Sequence, residues 1–328
     1  MKLTTTLRWS LAAATAVTAL CAQAQTSPSS WPAKPIRLVV PFGTGGTADT
    51  LGRLVAARLP EALGQTVVAD NRAGAGGLIG SDLVAKSPPD GYTLVVSGVA
   101  SHVLAPTLAA KPPFDPVRDV THIALFGGPP SLFAVHPSLP TRTLKEFVAF
   151  AKARPKQLVF GSPGTGTMGH LFGVLFTKQA GIAIEHVPYK TASIAVTDLV
   201  GGHIQTISTT LSTAAPQIRA GRIRPLAISA TERVQEYAQV PTFREVGFPE
   251  LVATIWFALS GPPGLPNDIV QRLNAETQRI LALPDIRERL RIDGIVPQPM
   301  SAQAFADYVA AELKRWTPVI RASGAAAN

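Results

Sequence analysis

Two glycine-rich turns in this chain carry hydroxyl side chains, and each follows an apolar strand pattern. The first turn, 42–47, reads Phe-Gly-Thr-Gly-Gly-Thr, and the second, 162–167, reads Ser-Pro-Gly-Thr-Gly-Thr. A helix pattern begins at the end of each turn, and the N-terminus of a helix offers unpaired N–H groups and a partial positive charge to anions. Glycine lets a ligand approach that backbone closely. Because neither turn contains Lys or Arg, we expect the two turns to line a cleft that binds a carboxylate reversibly.

The elements that must position these turns alternate along the chain. Strands are predicted at 36–41, 66–70, 92–97, 122–126, 131–136, 157–161, 183–187, 204–209, 223–229 and 253–260. Helices are predicted at 47–63, 77–86, 142–153, 167–180, 191–200, 212–220, 267–282, 284–292 and 301–320. The alternation favours the α/β class, with mostly parallel sheets flanked by helices.

The first helix has a regular apolar pattern. Its predicted core-facing stripe consists of Leu51, Leu54, Val55, Leu59 and Leu63. Thr47 is expected to cap this helix, and Asp49 lies in its first turn, where a negative charge suits the helix dipole. Asp49 therefore has a structural explanation that competes with a role in ligand contact.

Two proline pairs suggest how the chain divides. Pro129-Pro130 and Pro262-Pro263 flank a segment that can form a lobe of its own. We predict one lobe from 31–127 together with 256–328 and a second lobe from 128–255. Two crossing strands would join the lobes as a hinge, with the ligand in the cleft between them.

The N-terminus has the features of a secretory signal. Lys2 and Arg8 precede a short apolar run, and Ala22-Gln23-Ala24 follows as an A-x-A site, so residues 1–24 are predicted to be a cleaved signal peptide. A lipoprotein is the weaker alternative, because Leu20 stands where a small residue precedes a lipidated cysteine. Cys21 is the only cysteine and would leave with the signal, which excludes disulfides, thiol catalysis and cysteine-bound metal from the mature chain.

The net charge does not indicate nucleic-acid binding. It is +9, and +7 once Lys2 and Arg8 are subtracted. The basic residues are scattered without interleaved aromatic residues, whereas nucleic-acid binding needs a basic stripe with stacking side chains. A solvated basic surface that weakly attracts anions is the preferred interpretation.

Motifs for enzymatic chemistry are absent or coincidental. No Gly-Lys-Ser/Thr tripeptide forms a P-loop, and residues 161–164 fall one residue short of a G-x-S-x-G nucleophile elbow. Residues 164–169 match the dinucleotide pattern G-x-G-x-x-G, but residues 161–163 lengthen a turn that must be tight, and export separates the chain from the nicotinamide pool. The histidines have no metal-binding spacing. We therefore predict no catalytic residue, no cofactor and no metal.

The chain resembles Bug-type proteins, the extracytoplasmic solute receptors of tripartite tricarboxylate transporters. The motifs that carry the resemblance, in order, are Trp31-Pro32, 34–42, Gly45-Gly46 with Asp49, 70–72, 74–77, 89–94, Ser162 with Gly164 and Gly166, His170-Leu171, 186–190, 240–242, 272–274 and Ser323-Gly324. They span essentially the whole mature chain. The resemblance implies a monomeric two-lobed periplasmic-binding-protein fold of type II, in the periplasm of a Gram-negative bacterium. It also implies that the fold closes on a small organic acid (a di- or tricarboxylate, an aromatic carboxylate or an amino acid) and delivers it to membrane subunits.

In that family, two turns grip one ligand carboxylate. Carried onto this sequence, the ligand-binding residues of the turns are Phe42, Gly43, Thr44, Gly45, Gly46, Thr47, Ser162, Gly164, Thr165, Gly166 and Thr167. The further candidates are Asp49, Ser97, His170, Tyr189 and Ser208.

The sequence departs from the family pattern at several positions near these turns. Gly43 and Thr44 replace two prolines of the first turn, and Thr191 and Ile194 replace a Gly and a Pro after Tyr189-Lys190. The stretch 204–213 is rich in hydroxyls where an aromatic residue is common. A periplasmic enzyme acting on a carboxylate, or a ligand-sensing protein that signals to a histidine kinase, remain alternatives to a transport receptor.

Overall fold

The computed structural model describes residues 31–323, so the predicted signal peptide lies outside the described residues. Residues Lys34–Asn328 form one compact unit, and of the unit Met1–Ala33 only residues 31–33 are described. No helix in this described range is long and apolar enough to cross a membrane.

Within residues 31–323, ten strands form two five-stranded sheets. The strands are β1 Ile36–Val40, β2 Val67–Asn71, β3 Thr93–Gly98, β4 Thr121–Gly127, β5 Ser131–Val135, β6 Val159–Ser162, β7 Glu185–Pro188, β8 Thr206–Thr210, β9 Arg224–Ile228 and β10 Phe257–Gly261. The first sheet has the order β2-β1-β3-β10-β4, and the second has the order β7-β6-β8-β5-β9. The two sheets therefore share one topology, and each forms a lobe with its flanking helices.

Helices cover both sheets. They are α1 Thr47–Leu63, α2 Leu78–Ala85, α3 Ala105–Leu108, α4 Leu144–Lys152, α5 Met168–Ala180, α6 Ala192–Val200, α7 Leu211–Arg219, α8 Asn267–Ala282, α9 Pro284–Ile292 and α10 Ala302–Ser323. Each predicted strand and helix overlaps an observed one. The sequence patterns miss the helical segment 100–108, where a π-helical turn at 100–104 leads into α3.

Four strands of each sheet run in one direction and the fifth is reversed. The reversed strands are β10 in the first sheet and β5 in the second, and each enters its sheet directly from the other lobe. The strand direction thus confirms mostly parallel sheets. The strands β5 and β10 are reversed because the chain enters them from the hinge, so they must run away from the cleft. The strands β1 and β6, by contrast, end at the cleft.

The two crossing segments, 128–130 and 254–256, lie side by side. Pro130 forms an antiparallel bridge with Thr254, and the Ile255 N–H donates to the Pro129 carbonyl at 3.0 Å. A Cβ atom at Gly128 would stand 1.8 Å from the Ile255 carbonyl oxygen, so only glycine fits there. The close approach of these two backbones defines the connection between the lobes.

Helix α1 differs from its sequence prediction in two details. Its N-cap is Gly46, not Thr47. Four stripe residues are buried, but Leu54 is only partly buried. The first difference leaves the Thr47 side chain available for contacts outside the helix.

Truncation of the stripe should therefore have unequal effects. Leu59 is fully buried, so we expect Leu59→Ala to lower the free energy of unfolding by about 2–5 kcal/mol, the cost of a core cavity. Leu54→Ala, the matched control on the same helix, should cost clearly less. Urea denaturation of both variants measures this, and equal losses would contradict the assigned helix orientation.

Candidate functional site

The first predicted turn links β1 to α1 and is held by a carboxylate. The Gly45 N–H donates to Asp49 Oδ2 at 3.0 Å, while Arg53 Nε and Asn71 Nδ2 each donate to Asp49 Oδ1 at 2.9 Å. Asn71 Nδ2 also donates to the Phe42 carbonyl at 3.0 Å. Asp49 is thus occupied by groups of its own lobe and fixes the shape of the turn.

The second predicted turn links β6 to α5 and uses two of its own amides internally. The Gly164 N–H donates to Ser162 Oγ at 3.2 Å, and the Gly166 N–H approaches His170 Nδ1 at 3.4 Å. Thr167 caps α5, because its hydroxyl accepts the His170 N–H at 3.3 Å. These bonds define the turn, and they take up two N–H groups that the sequence assigned to a ligand.

A stacked histidine pair supports the second turn from behind. The rings of His170 and His186 lie 4.2 Å apart, and His186 Nε2 hydrogen-bonds with Ser162 Oγ at 2.7 Å. Burial lowers the pKa of His170, and burial together with His170 lowers the pKa of His186 to about 4. Both rings are therefore neutral at neutral pH, which for His170 is what acceptance of the Gly166 N–H by Nδ1 requires.

A deep cavity of about 80 Å³ lies between the two turns, with walls from both lobes. A second, larger cavity of about 380 Å³, called the outer cavity below, adjoins it, since Phe42, Pro163, Thr167 and Lys190 line both. The predicted residues that line one or both cavities are Phe42, Gly43, Gly46, Thr47, Gly164, Thr165, Gly166, Thr167 and Tyr189.

Four helices begin at the wall of the deep cavity. The N-cap residues of α1, α5, α6 and α7 are Gly46, Thr167, Thr191 and Thr210, and all four line it. Among the described residues, no Asp or Glu does so. Four partial positive charges at helix N-termini thus face one small space.

The remaining predicted residues lie outside both cavity walls. They are Thr44, Gly45, Asp49, Ser97, Ser162, His170 and Ser208. Ser97 is buried in the first sheet, where its hydroxyl bonds with that of Ser260 at 2.7 Å. Tyr189 lines the outer cavity. Its hydroxyl donates a hydrogen bond to Asp198, and burial together with this bond raises the pKa of Tyr189 to about 12.

Hydroxyl groups connect the two lobes beside the deep cavity. Thr47 Oγ1 hydrogen-bonds with Thr210 Oγ1 at 2.8 Å, Ser212 Oγ at 2.6 Å and Thr213 Oγ1 at 3.2 Å. The neighbouring Thr209 lines the cavity, is fully buried, and has a hydroxyl without a hydrogen-bond partner in the described structure. The hydroxyl-rich stretch 204–213 was the only sequence signal for this group, and it did not identify the residues that make contact.

Two of the sequence departures meet across the cleft. A Cβ atom at Gly43 would stand 2.2 Å from Thr191 Cγ2, and Ser193 Oγ donates to the Thr44 carbonyl at 3.3 Å. A larger residue at position 43 is therefore incompatible with Thr191 at this separation of the lobes.

Among the described residues, no group of three or more His, Cys, Asp or Glu side chains is arranged to hold a metal ion. Among the described residues, the polar groups of the two cavity walls belong to helix N-termini, hydroxyls and one charged side chain, that of Lys190, and they lie beside apolar side chains such as Phe42, Met168 and Phe257. Such a set can surround and orient a small anion.

Comparison with known proteins identifies the family. The profile of the tripartite tricarboxylate transporter family receptor matches residues 51–325. The chain belongs to this receptor family. Protein BugT of Bordetella pertussis (strain Tohama I) is 36% identical over 304 residues, which cover 92% of this chain and 93% of BugT.

Solved structures of similar receptors agree in fold. R. palustris Rpa4515 with adipate is 36% identical with a TM-score of 0.87, covering 90% of this chain and 99% of that one. MatC (Rpa3494) from Rhodopseudomonas palustris with bound malate is 32% identical with a TM-score of 0.84, covering 88% of this chain and 100% of that one. The two-lobed periplasmic-binding-protein fold expected of a family receptor is thereby confirmed.

The Gly43–Thr191 contact should appear in a double-mutant cycle. Gly43→Ala should be destabilising, and Thr191→Ser, which removes the methyl but keeps the capping hydroxyl, should relieve part of that loss. We expect a coupling free energy of about 0.5–3 kcal/mol in urea denaturation. Gly46→Ala is the control, since the nearest atom to its Cβ is 3.9 Å away, and its effect should not depend on residue 191. Strict additivity of Gly43→Ala and Thr191→Ser would contradict the contact.

The histidine pair should make stability depend on pH. In the unfolded chain the His186 side chain binds a proton near pH 6.5, whereas in the folded protein it does so only near pH 4. Protonation of His186 therefore favours unfolding as the pH falls through this window. The free energy of unfolding should decrease from pH 6.5 to 4, and His186→Gln should make the decrease shallower. Urea denaturation across this range tests it, and identical slopes would exclude His186 as a contributor.

Proposed function

We propose that this protein is a periplasmic receptor that captures a small organic carboxylate between its lobes and delivers it to the membrane subunits of a tripartite tricarboxylate transporter. The observation that carries the proposal is the convergence of four helix N-termini on one cavity, in whose wall no acidic residue of the described part of the chain lies. A carboxylate accepts several hydrogen bonds at once, and N–H groups at helix N-termini are oriented to donate them.

The chemistry of the cavity wall supports binding rather than turnover. Its polar groups are backbone amides, the Lys190 ammonium and the hydroxyls of Thr47, Thr167, Thr191, Thr209, Thr210 and Thr213. The histidine pair stays neutral and lies outside the cavity wall, where His186 hydrogen-bonds with Ser162 of the second turn. A periplasmic enzyme would need a nucleophile or base at the ligand, so we propose that the protein has no catalytic activity.

Similar receptors supply the ligand class. Adipate and malate accompany two structures more than 30% identical to this chain, and both are small dicarboxylates. We extend the class to organic acids that fit the two adjoining cavities. We further propose that residues 1–24 direct export and are then removed, and that the mature protein acts as a monomer.

Capture requires movement about the crossing segments. We propose that the lobes are 31–127 with 256–328, and 128–255, and that they rotate about 128–130 and 254–256. The hydroxyl contacts of Thr47 with Thr210 and Ser212 would form on closure, together with those to the ligand. Differential affinity for the closed arrangement is what allows a ligand to shift such an equilibrium.

Thr209 allows binding to be separated from stability. Its buried hydroxyl has no partner in the described structure, so Thr209→Val should not lower the free energy of unfolding of the unliganded protein. If that hydroxyl donates to the carboxylate, the same change should weaken binding of the acid by about tenfold, the effect of one lost hydrogen bond to a charged group. Calorimetry measures the change in affinity. The ligands are adipate, malate and any acid that native mass spectrometry detects on the purified protein.

The control is Thr277→Val, which removes another buried, unpartnered hydroxyl on α8 and should leave affinity unchanged. The methyl ester of the acid should bind at least about tenfold more weakly than the acid, because it leaves buried donors unpaired. Equal affinity for acid and ester would exclude a carboxylate site. Turnover of the bound acid would favour the enzyme alternative instead.

A further inference from the structure

The second lobe has a basic stretch whose charge is not balanced by acidic side chains. Residues 137–184 contain six Lys or Arg residues but one acidic residue, Glu146, and so account for +5 of the +7 that remains once Lys2 and Arg8 are subtracted. All six basic residues are exposed, and they are Arg142, Lys145, Lys152, Arg154, Lys156 and Lys178. Most of the excess positive charge is therefore concentrated in one part of the second lobe.

These cations differ from those of the first lobe in their partners. In the described structure, six of the eight Lys and Arg residues in 34–118 form ion pairs, whereas none of these six does. Lys178 Nζ donates to the Ala322 carbonyl at 2.9 Å, and the Arg154 guanidinium lies 3.9 Å from the centre of the Phe150 ring. Neither contact supplies a negative charge, so these side chains keep their full positive charge toward the solvent.

Folding brings five of the six together at one end of the second lobe. The Lys156 N–H donates to the Ala183 carbonyl at 2.7 Å, and Lys152 Cε lies 4.0 Å from the position of a Cβ atom at Gly181. The end of α4, the loop that follows it and the end of α5 are therefore neighbours. Lys145 and Lys152 lie two turns apart on the exposed face of α4. We call this group the basic surface, and its members are Lys145, Lys152, Arg154, Lys156 and Lys178.

The basic surface lies far from the cleft. Helix α5 has its N-cap, Thr167, in the wall of the deep cavity and ends at Ala180, two residues beyond Lys178. Its 13 residues, with a rise of about 1.5 Å each, place that end about 20 Å from the cavity wall. None of the five residues of the basic surface lines the deep or the outer cavity. A partner bound there does not cover the wall of either cavity.

The composition of the basic surface favours a lipid partner over a protein partner. Four of its five cations are lysines, and lysine is depleted in protein–protein interfaces. A lysine carries a compact, hydrated charge on a flexible stem, which suits a mobile layer of phosphates better than a fixed carboxylate. Each Lys or Arg beside an anionic bilayer strengthens binding about fivefold, so five together can hold a protein there reversibly.

We infer that the basic surface binds the anionic phospholipid headgroups of a bilayer, reversibly and without insertion. The inference goes beyond the proposed function, because it assigns the surface that keeps the receptor close to the membrane subunits while both cavities stay accessible. Such binding depends on the charge of the lipid and on ionic strength, and it does not depend on the solute in the cleft.

Co-sedimentation of the purified protein with lipid vesicles tests the inference. At about 50 mM salt, vesicles that contain phosphatidylglycerol should bind the protein about 100-fold or more tightly than vesicles of phosphatidylcholine alone, and about 500 mM salt should remove most of this preference by screening. The triple variant Lys145→Gln, Lys152→Gln and Lys156→Gln should bind the anionic vesicles at least about thirtyfold more weakly, given about fivefold for each lost charge. The corresponding triple change to Arg should retain the binding.

The matched control is Lys34→Gln, Lys111→Gln and Lys314→Gln, which removes the same charge from three exposed lysines of the first lobe and should retain most of the binding. Thermal denaturation and calorimetry with adipate and malate check that the basic-surface variant folds and binds solute like the unaltered protein. An equal loss in the two triple variants would assign the effect to net charge and overturn the inference. Equal binding to both kinds of vesicle, or binding to neither, also overturns it and leaves the receptor function standing. Failure of adipate and malate to bind would concern the proposed function alone.

Discussion

A small anion removed from water must be met by enough hydrogen-bond donors to replace its hydration, and the architecture of this receptor follows from that requirement. Four helix N-termini surround one cavity of about 80 Å³, and each brings backbone N–H groups whose orientation the helix itself fixes. Helices can begin at one place only if the strands before them end there. The parallel strands β1, β6, β7 and β8 do so, and the reversed strands β5 and β10 follow the two crossings of the hinge. Topology and site chemistry are therefore consequences of one arrangement.

The donors must also be held in place before a ligand arrives. Asp49 fixes the first turn through Gly45, Arg53 and Asn71, while Ser162 and the two stacked histidines fix the second. These groups lie outside the cavity wall. They form hydrogen bonds with polar groups of the two turns that would otherwise be unpaired. A neutral His186 suits this role, because its ring nitrogen and Ser162 Oγ are 2.7 Å apart in a buried environment. Preorganised turns reduce the ordering cost that ligand binding would otherwise include.

The contact between the lobes combines fit with polarity. The Thr191 methyl lies so close to Gly43 that no side chain fits at position 43. Thr47 hydrogen-bonds with three hydroxyls of the opposite lobe. Hydroxyls suit such a surface because each can donate or accept, and water replaces the partner when the lobes separate. An apolar surface of the same size would favour closure without a ligand. The departures of this sequence from the family pattern at 43, 44 and 191 thus lie together at the surface that determines how the lobes meet.

Within the described residues, the sequence by itself determined the ten strands, nine of the ten α-helices and the two turns, since each depends on local periodicity, on glycine and on the residues that begin a helix. It could not determine that Gly46 rather than Thr47 caps α1, because several neighbouring residues can occupy that position. It also could not predict that the amides of Gly164 and Gly166 are used within their own turn, or that Thr209, Thr210 and Lys190 line the cavities. These facts depend on which residues from distant parts of the chain come within a few ångströms of one another. Only the packing of two sheets across a hinge decides that, because hydrogen bonds and close contacts are sensitive to separations that no local pattern encodes.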